Sequence, residues 1–203
     1  MKKYQYKDYD HYVKCQREGF ERKKNRCWAI KENIKAITEF ITENIENKKV
    51  EYGLCHGTRA GFEQKWFMKY LTPEAPVIGT EIGNSTAENT IQRDFNKIHA
   101  DLIGKFDFVY SNSFDHSFDP EKTINIWANQ VRTGGLLIIE WDERQEHKGS
   151  VSKSINKTDP VSLTFEEIKI LLPKWCEKIK LLTILDMPIK TFSYRKAIIF
   201  RVS

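Results

Sequence analysis

Cysteine is scarce and scattered in this 203-residue chain. Cys15, Cys27, Cys55 and Cys176 form no C-x-x-C pair and no Cys/His cluster at zinc spacing, so neither a disulfide framework nor a zinc module is expected and the thiols should stay reduced. No apolar run approaches the ~20 residues of a membrane span. Met1 to Tyr12 is polar and tyrosine-rich rather than the apolar core of a signal peptide, and the expected location is the cytoplasm. Glycine (10) and proline (6) are too few, and hydrophobic residues (40%) too many, for a collagen-like, low-complexity or disordered chain. There is no internal repeat and no Gly/Pro/Ser-rich linker. What remains is one domain's length of globular sequence.

Charge is unevenly placed. The first 27 residues hold 9 Lys/Arg against 4 Asp/Glu, which accounts for the whole net charge of +5 and leaves the remainder balanced. We therefore divide the chain into a basic, tyrosine-rich extension (1–27) and a main domain (28–203). A neutral body gives a long nucleic acid little to hold, so any attraction to phosphate or carboxylate must come from the extension.

Hydrophobic periodicity organises the rest. Trp28, Ile30, Ile34, Ile37, Ile41 and Ile45 recur at three- and four-residue steps and predict an amphipathic helix over 25–47; Tyr9, Tyr12, Val13 and Phe20 suggest another upstream, interrupted by Gly19. Strands are predicted at Val50–Cys55, Val77–Ile82, Thr90–Phe95, Phe106–Ser111 and Leu136–Trp141, with helices at 61–70 and 120–131. After a helix over 164–172, Ile179–Leu185 and Ala197–Val202, joined by a loop holding Pro188, pair most simply as an antiparallel hairpin. The expected fold is α/β: a doubly wound, mostly parallel seven-stranded sheet, Rossmann-like, with an antiparallel C-terminal hairpin.

In such a sheet a ligand sits beyond the carboxyl ends of the strands, so the residues just after each strand are the informative ones. The first tip, Gly53 to Gly61, has small residues and leads into a helix whose free N–H groups suit an anion, but its glycines do not fit G-x-G-x-x-G. Glu81 lies 24 residues after Gly57, near the offset at which an acid takes a nucleoside's ribose hydroxyls; a solvated loop acid is the plainer alternative. Asp94-Phe95 offers a carboxylate for an exocyclic amine and an apolar ring beside a base, or is an ordinary turn aspartate.

Taken in order, the small-residue loop, Glu81, Asp94-Phe95, Phe106-Asp107-Phe108-Val109 and Thr133-Gly134-Gly135-Leu136-Leu137-Ile138-Ile139 resemble the class I S-adenosylmethionine-dependent methyltransferases, over roughly residues 28–203. The first loop departs from that family's D-x-G-x-G-x-G: Gly53 stands at the acid, Cys55 at the first glycine and Arg59 at the third. The resemblance implies S-adenosyl-L-methionine as cofactor. Cys55, Gly57, Thr58 and Arg59 would lie along its methionine part, Glu81 on the ribose, Asp94 and Phe95 at the adenine, and Ser111 and Asn112 beside the sulfonium. Arg59 either pairs with the cofactor's carboxylate or neutralises Glu63 at i+4.

The run Ser111 to Pro120 is dense in polar groups where the family brings its acceptor, and His116 beside Asp115 is the candidate catalytic base. The run is not N-P-P-Y, which favours an oxygen acceptor over a nucleobase amine. The expected reaction is methylation of a small-molecule or saccharide-like polar acceptor. RNA methylation, or a non-catalytic nucleoside- or partner-binding role, are the alternatives. The extension either caps the acceptor pocket, its Lys/Arg cluster reading phosphate or carboxylate, or simply packs on the domain. Asp115, His116, Glu140 and Asp142 lie at the tips of the fourth and fifth strands, where a divalent cation could sit, but mixed carboxylate and imidazole ligands suit Mg²⁺ or Mn²⁺ poorly to moderately and no metal is assigned.

Overall fold

The computed structural model describes residues 1–146, 155–189 and 194–203. In chain order the elements are β1 (Lys2–Lys3), α1 (Tyr9–Lys23), α2 (Lys31–Asn44), β2 (Gly53–His56), α3 (Phe62–Tyr70), β3 (Val77–Glu81), β4 (Thr90–Gln92), β5 (Phe106–Ser111), α4 (Pro120–Gln130), β6 (Val131–Asp142), β7 (Val161–Ser162), α5 (Phe165–Trp175), β8 (Ile179–Asp186) and β9 (Arg195–Val202). Seven strands form one sheet in the order β4-β3-β2-β5-β6-β9-β8. The first five of that order run parallel, and β9 is antiparallel to both β6 and β8. This is the expected architecture. Residues 190–193 of the predicted hairpin loop lie outside the described residues.

Each face of the sheet is closed by helices because alternate strand residues point opposite ways. Phe108 and Tyr110 pack with Ile34, Ile37 and Ile41 of α2 and Phe67 of α3. Val109, Leu137 and Ile139 pack with Trp127 of α4 and with Ile168 and Leu172 of α5. Local signals start the helices: Asp8 accepts the His11 N–H at 2.7 Å, Asp119 accepts Lys122 ahead of Pro120, and Thr164 and Glu167 form a reciprocal capping box.

Two predicted boundaries are corrected. The helix expected from Asn25 begins only at Lys31. Ile30 is extended, and the Trp28 carbonyl accepts the Arg195 Nη1–H at 3.0 Å, so a residue from the far end of the chain holds this segment out of the helix. Trp28 consequently leaves the apolar stripe, and its ring lies under the guanidinium groups of Arg144 and Arg195, at 4.3 and 5.1 Å. Strand β2 starts at Gly53 rather than Val50, because the Asp107 carboxylate takes the N–H groups of Glu51 and Tyr52.

The chain leaves the central β2 to build β3 and β4 on one side, then returns to build β5 and β6 on the other. The strand order reverses between β2 and β5, and that is where an open parallel sheet forms its ligand crevice. The first residues of the chain close over this end: β1 pairs with β7, and α1 lies across the tips of β3 and β4.

Candidate active site

The loop after β2 folds through three left-handed positions, Gly57 (φ 72°), Arg59 (φ 42°) and Gly61 (φ 73°). At Gly57 the conformation and the space both require glycine, since a Cβ would stand 2.8 Å from the Ser113 side chain at the tip of β5. Arg59 is an L-residue in that region, a position of stored backbone strain.

Glu81 ends β3 almost fully buried. Its Oε2 accepts the Arg59 N–H at 2.9 Å, and its Oε1 accepts the N–H groups of Ile82 (2.9 Å) and Gly83 (3.2 Å). A carboxylate has about four lone-pair sites, so capacity remains for a ligand hydroxyl. Asp94, beyond β4, accepts Asn96 N–H and Nδ2 on Oδ1 and the Tyr9 hydroxyl on Oδ2 at 2.6 Å. Glu81, Asp94 and Phe95 line one slot. The slot is narrow because α1 covers it: Tyr12 and Phe20 line it, and the Phe20 ring packs so closely on Gly83 that a Cβ there would be 2.3 Å away. Its free volume is about 40 Å³.

Through Gly57, Arg59, Ser113, His116 and Thr158 the slot continues into a chamber of about 860 Å³, within the range of small-molecule sites. Arg22, Arg26, Trp28 and Arg144 line its outer part, and Glu63, Asn112 and Asp115 line its inner part. Thr58 is buried against it. The His116 Nδ1 is 3.0 Å from Gln16 Oε1, which makes Nδ1 the protonated nitrogen and leaves Nε2 as the acceptor. Nε2 lies 3.9 Å from Asp115 and 3.7 Å from Asp159. One nitrogen and two carboxylate oxygens within 4.8 Å of one another form a set that could hold a metal ion. The Lys23 ammonium, 3.9 Å from Asp159, already supplies positive charge there.

The structure separates several residues that the sequence groups. Cys55 is fully buried among the α2/α3-side core residues and its side chain does not line the cavity. Ser111 is also buried: its hydroxyl donates to the His56 carbonyl and accepts the Ser113 N–H. Both occupy inward positions of a buried strand, which composition alone does not reveal. Glu140 and Asp142 do not join Asp115 and His116. Arg195 bridges them at 3.2 and 2.9 Å, Arg144 adds a second contact to Asp142, and Tyr110 donates to Glu140. Burial pushes the Glu140 carboxyl up, opposed by Arg195. His56 turns inward between Thr80 Oγ1 and Gln130 Oε1, stacked on Trp127, and burial lowers its pKa to about 3.

The sequence does not single out Asp159, and it points to Glu63 only as an i+4 partner for Arg59. Burial raises the Glu63 carboxyl to about 7. No ion pair joins Arg59 to Glu63 among the described residues, so the expected i+4 alternative is not formed.

No protein-family model matches this chain, and no curated protein matches its sequence. Among solved structures, it is similar to the 1,6-didemethyltoxoflavin-N1-methyltransferase of Burkholderia thailandensis, solved with its substrate and S-adenosylhomocysteine (TM-score 0.73, 12% identity, 98% of this chain and 92% of that one). It is also similar to magnesium protoporphyrin IX methyltransferase of Synechocystis (TM-score 0.63, 9% identity, 98% and 100% covered), and to a (4+2)-cyclase, SpnF (TM-score 0.61, 10% identity, 83% and 80% covered). At these identities the likeness is one of fold. The strand order, the C-terminal hairpin and these neighbours together identify the architecture as that of the class I S-adenosylmethionine-dependent methyltransferases.

Proposed function

We propose that this protein is an S-adenosylmethionine-dependent methyltransferase acting on an oxygen of a small, polar acceptor. One observation carries the reading: a slot bearing two fixed carboxylates, Glu81 and Asp94, opens directly into a chamber lined by an imidazole whose Nδ1 is held by Gln16. The residues suit the cofactor's parts. Glu81 would take the ribose hydroxyls, Asp94 the adenine amine, Phe95 the base, the Gly57–Thr58 backbone and Arg59 the methionine part, and Asn112 the region of the sulfonium. When bound, the cofactor supplies an electrophilic methyl group on sulfur.

The chain's part is to align the acceptor and, where the acceptor is a hydroxyl, to remove its proton. His116 is built for that step. Gln16 fixes its tautomer, and the Asp115 and Asp159 carboxylates stand 3.9 and 3.7 Å from the nitrogen that would receive the proton. The arginines of the outer chamber, Arg22 and Arg26 from the extension with Arg144, favour an anionic acceptor carrying carboxylate or phosphate.

Calorimetry with S-adenosylmethionine and S-adenosylhomocysteine, followed by radiolabelled methyl transfer into anionic hydroxy compounds, tests the reading. Absence of binding by the folded protein refutes it, and binding without transfer across a broad panel assigns the non-catalytic role. Glu81→Ala should weaken cofactor affinity by about 1–3 kcal/mol, the scale for unpaired hydrogen-bonding groups; unchanged affinity removes Glu81 from the site.

A further inference from the structure

Arg59 and Glu63 are four residues apart at the start of α3, a spacing that ordinarily lets opposite charges pair along a helix. Here Arg59 precedes the helix, turned by its own left-handed conformation and by that of Gly61, and the two side chains form no ion pair with each other. Both line the chamber, and Arg59 also lines the slot that opens into it. Among the described residues the Arg59 guanidinium has no carboxylate partner. Glu63 is 5% exposed, and its named side-chain partner is the neutral Asn112, whose Nδ2 donates to Oε1 across 3.4 Å.

A guanidinium and a buried carboxyl that face one cavity without satisfying each other complement a molecule carrying both charges on neighbouring atoms. Arg59 holds its place at a cost of about 1–2 kcal/mol, which glycine would avoid, and such strain concentrates at working positions. We propose that Arg59 and Glu63 form a receptor for an α-amino-acid zwitterion, Arg59 taking the carboxylate and Glu63 the ammonium group. The assignment rests on the cofactor reading above, in which the zwitterion is the methionyl end of S-adenosylmethionine. It adds Glu63, on the helix rather than the strand tip, as the group that reads the cofactor's amine.

The groups around Glu63 give the receptor a pH signature. Arg59 from the loop lowers its proton affinity; Glu140 of β6 raises it; Cys27, Cys55 and Tyr110 face it from the segment before α2, from β2 and from β5. Burial dominates and leaves the carboxyl half-protonated near pH 7. An ammonium ligand binds the ionised form, so binding below that pH must expel a proton. Affinity should therefore rise with pH up to about 7 and then level.

The test is calorimetry on the full chain with S-adenosylmethionine, S-adenosylhomocysteine and methylthioadenosine, which keeps the nucleoside and lacks the amino acid. Glu63→Gln should weaken the first two by the same factor, on the order of 10- to 100-fold for a charge-assisted contact. It should leave methylthioadenosine unchanged and abolish the rise toward pH 7. Arg59→Gly, which removes the guanidinium and relieves the strained backbone, should give the same discrimination in a protein at least as resistant to denaturant as the original. Unchanged affinity for all three ligands overturns the proposal, as does an equal loss for all three. A loss confined to S-adenosylmethionine also overturns it, because the partner of Glu63 would then be the sulfonium. If the original protein binds none of the three, the cofactor reading fails and the receptor with it, an outcome distinct from each of these.

Discussion

Helix α1 should compete with a nucleoside for the slot, and removing one hydroxyl should reveal the competition. Ordinary ligand sites offer about 300–1,000 Å³, whereas the slot between Glu81 and Asp94 has about 40 Å³. Entry of an adenine nucleoside therefore requires α1 to move off the tips of β3 and β4. Two contacts hold it there most directly. Phe20, buried against Gly83, contributes about 1.5–3 kcal/mol by the usual value of an apolar side chain removed from water. The Tyr9 hydroxyl bonded to Asp94 adds about 1.5–3 kcal/mol as a hydrogen bond to a charged group, the lower end applying because Tyr9 is only partly buried. Apparent affinity equals intrinsic affinity multiplied by the open fraction. Tyr9→Phe leaves the packing and removes the bond, so about 1.5 kcal/mol should raise the open fraction, and with it affinity for S-adenosylhomocysteine, roughly tenfold. It also returns an Asp94 oxygen to the ligand. Calorimetry measures the gain, and hydrogen exchange over residues 9–23 should show matching loss of protection in the unliganded protein. Unchanged or weaker binding, with exchange unaltered, would refute the competition and mean that the tyrosine stays beside the bound nucleoside.

Three further outcomes follow from the same geometry. His116→Ala should lower the maximal rate of methyl transfer while cofactor affinity stays as it was, since the imidazole stands where slot and chamber join and its ring bonds to Gln16 rather than to Glu81 or Asp94; an unaltered rate would show that the acceptor needs no base here. Arg195→Met should destabilise the fold by about 3–5 kcal/mol in urea titrations, because it leaves the buried Glu140 without its cation while Asp142 keeps Arg144, and a loss under about 1 kcal/mol would mean that Glu140 finds another partner. His56 has a folded-state pKa near 3 against 6.5 for the free side chain, so the unfolded state binds the proton first. Its contribution is complete above pH 6.5 and is lost as pH falls toward 3, at a slope of up to about 1.4 kcal/mol per pH unit. Stability measured from pH 8 to about pH 4 should fall less steeply in His56→Gln than in the original protein; parallel curves would remove His56 as the source.

The parts of the fold that were legible in the sequence are those written locally. Short apolar runs between turn residues marked the central strands, because a strand buried on both faces reads as a near-continuous hydrophobic segment. The offset from Gly57 to Glu81 and on to Asp94 was legible for a related reason: short connections in a parallel sheet leave little freedom in where successive tips fall. What was not legible depends on residues far apart in the chain. Trp28 fits a helical stripe perfectly well until Arg195 takes its carbonyl from 167 positions away. Asp159 carries no local mark of its place beside His116, which β1 and β7 help to set by pairing the two ends of a long separation.

Glu63 was missed for a different reason. The i+4 spacing from Arg59 suggested that the two charges cancel, and that inference assumes helical backbone at both ends. The assumption fails at one dihedral angle, the φ of 42° at Arg59, which turns an apparent surface ion pair into two separate groups facing a cavity. A charged residue at a loop position that geometry reserves for glycine is thus a sequence signal in its own right: neutralising partners counted along a helix should not be credited to a residue that has not yet entered it.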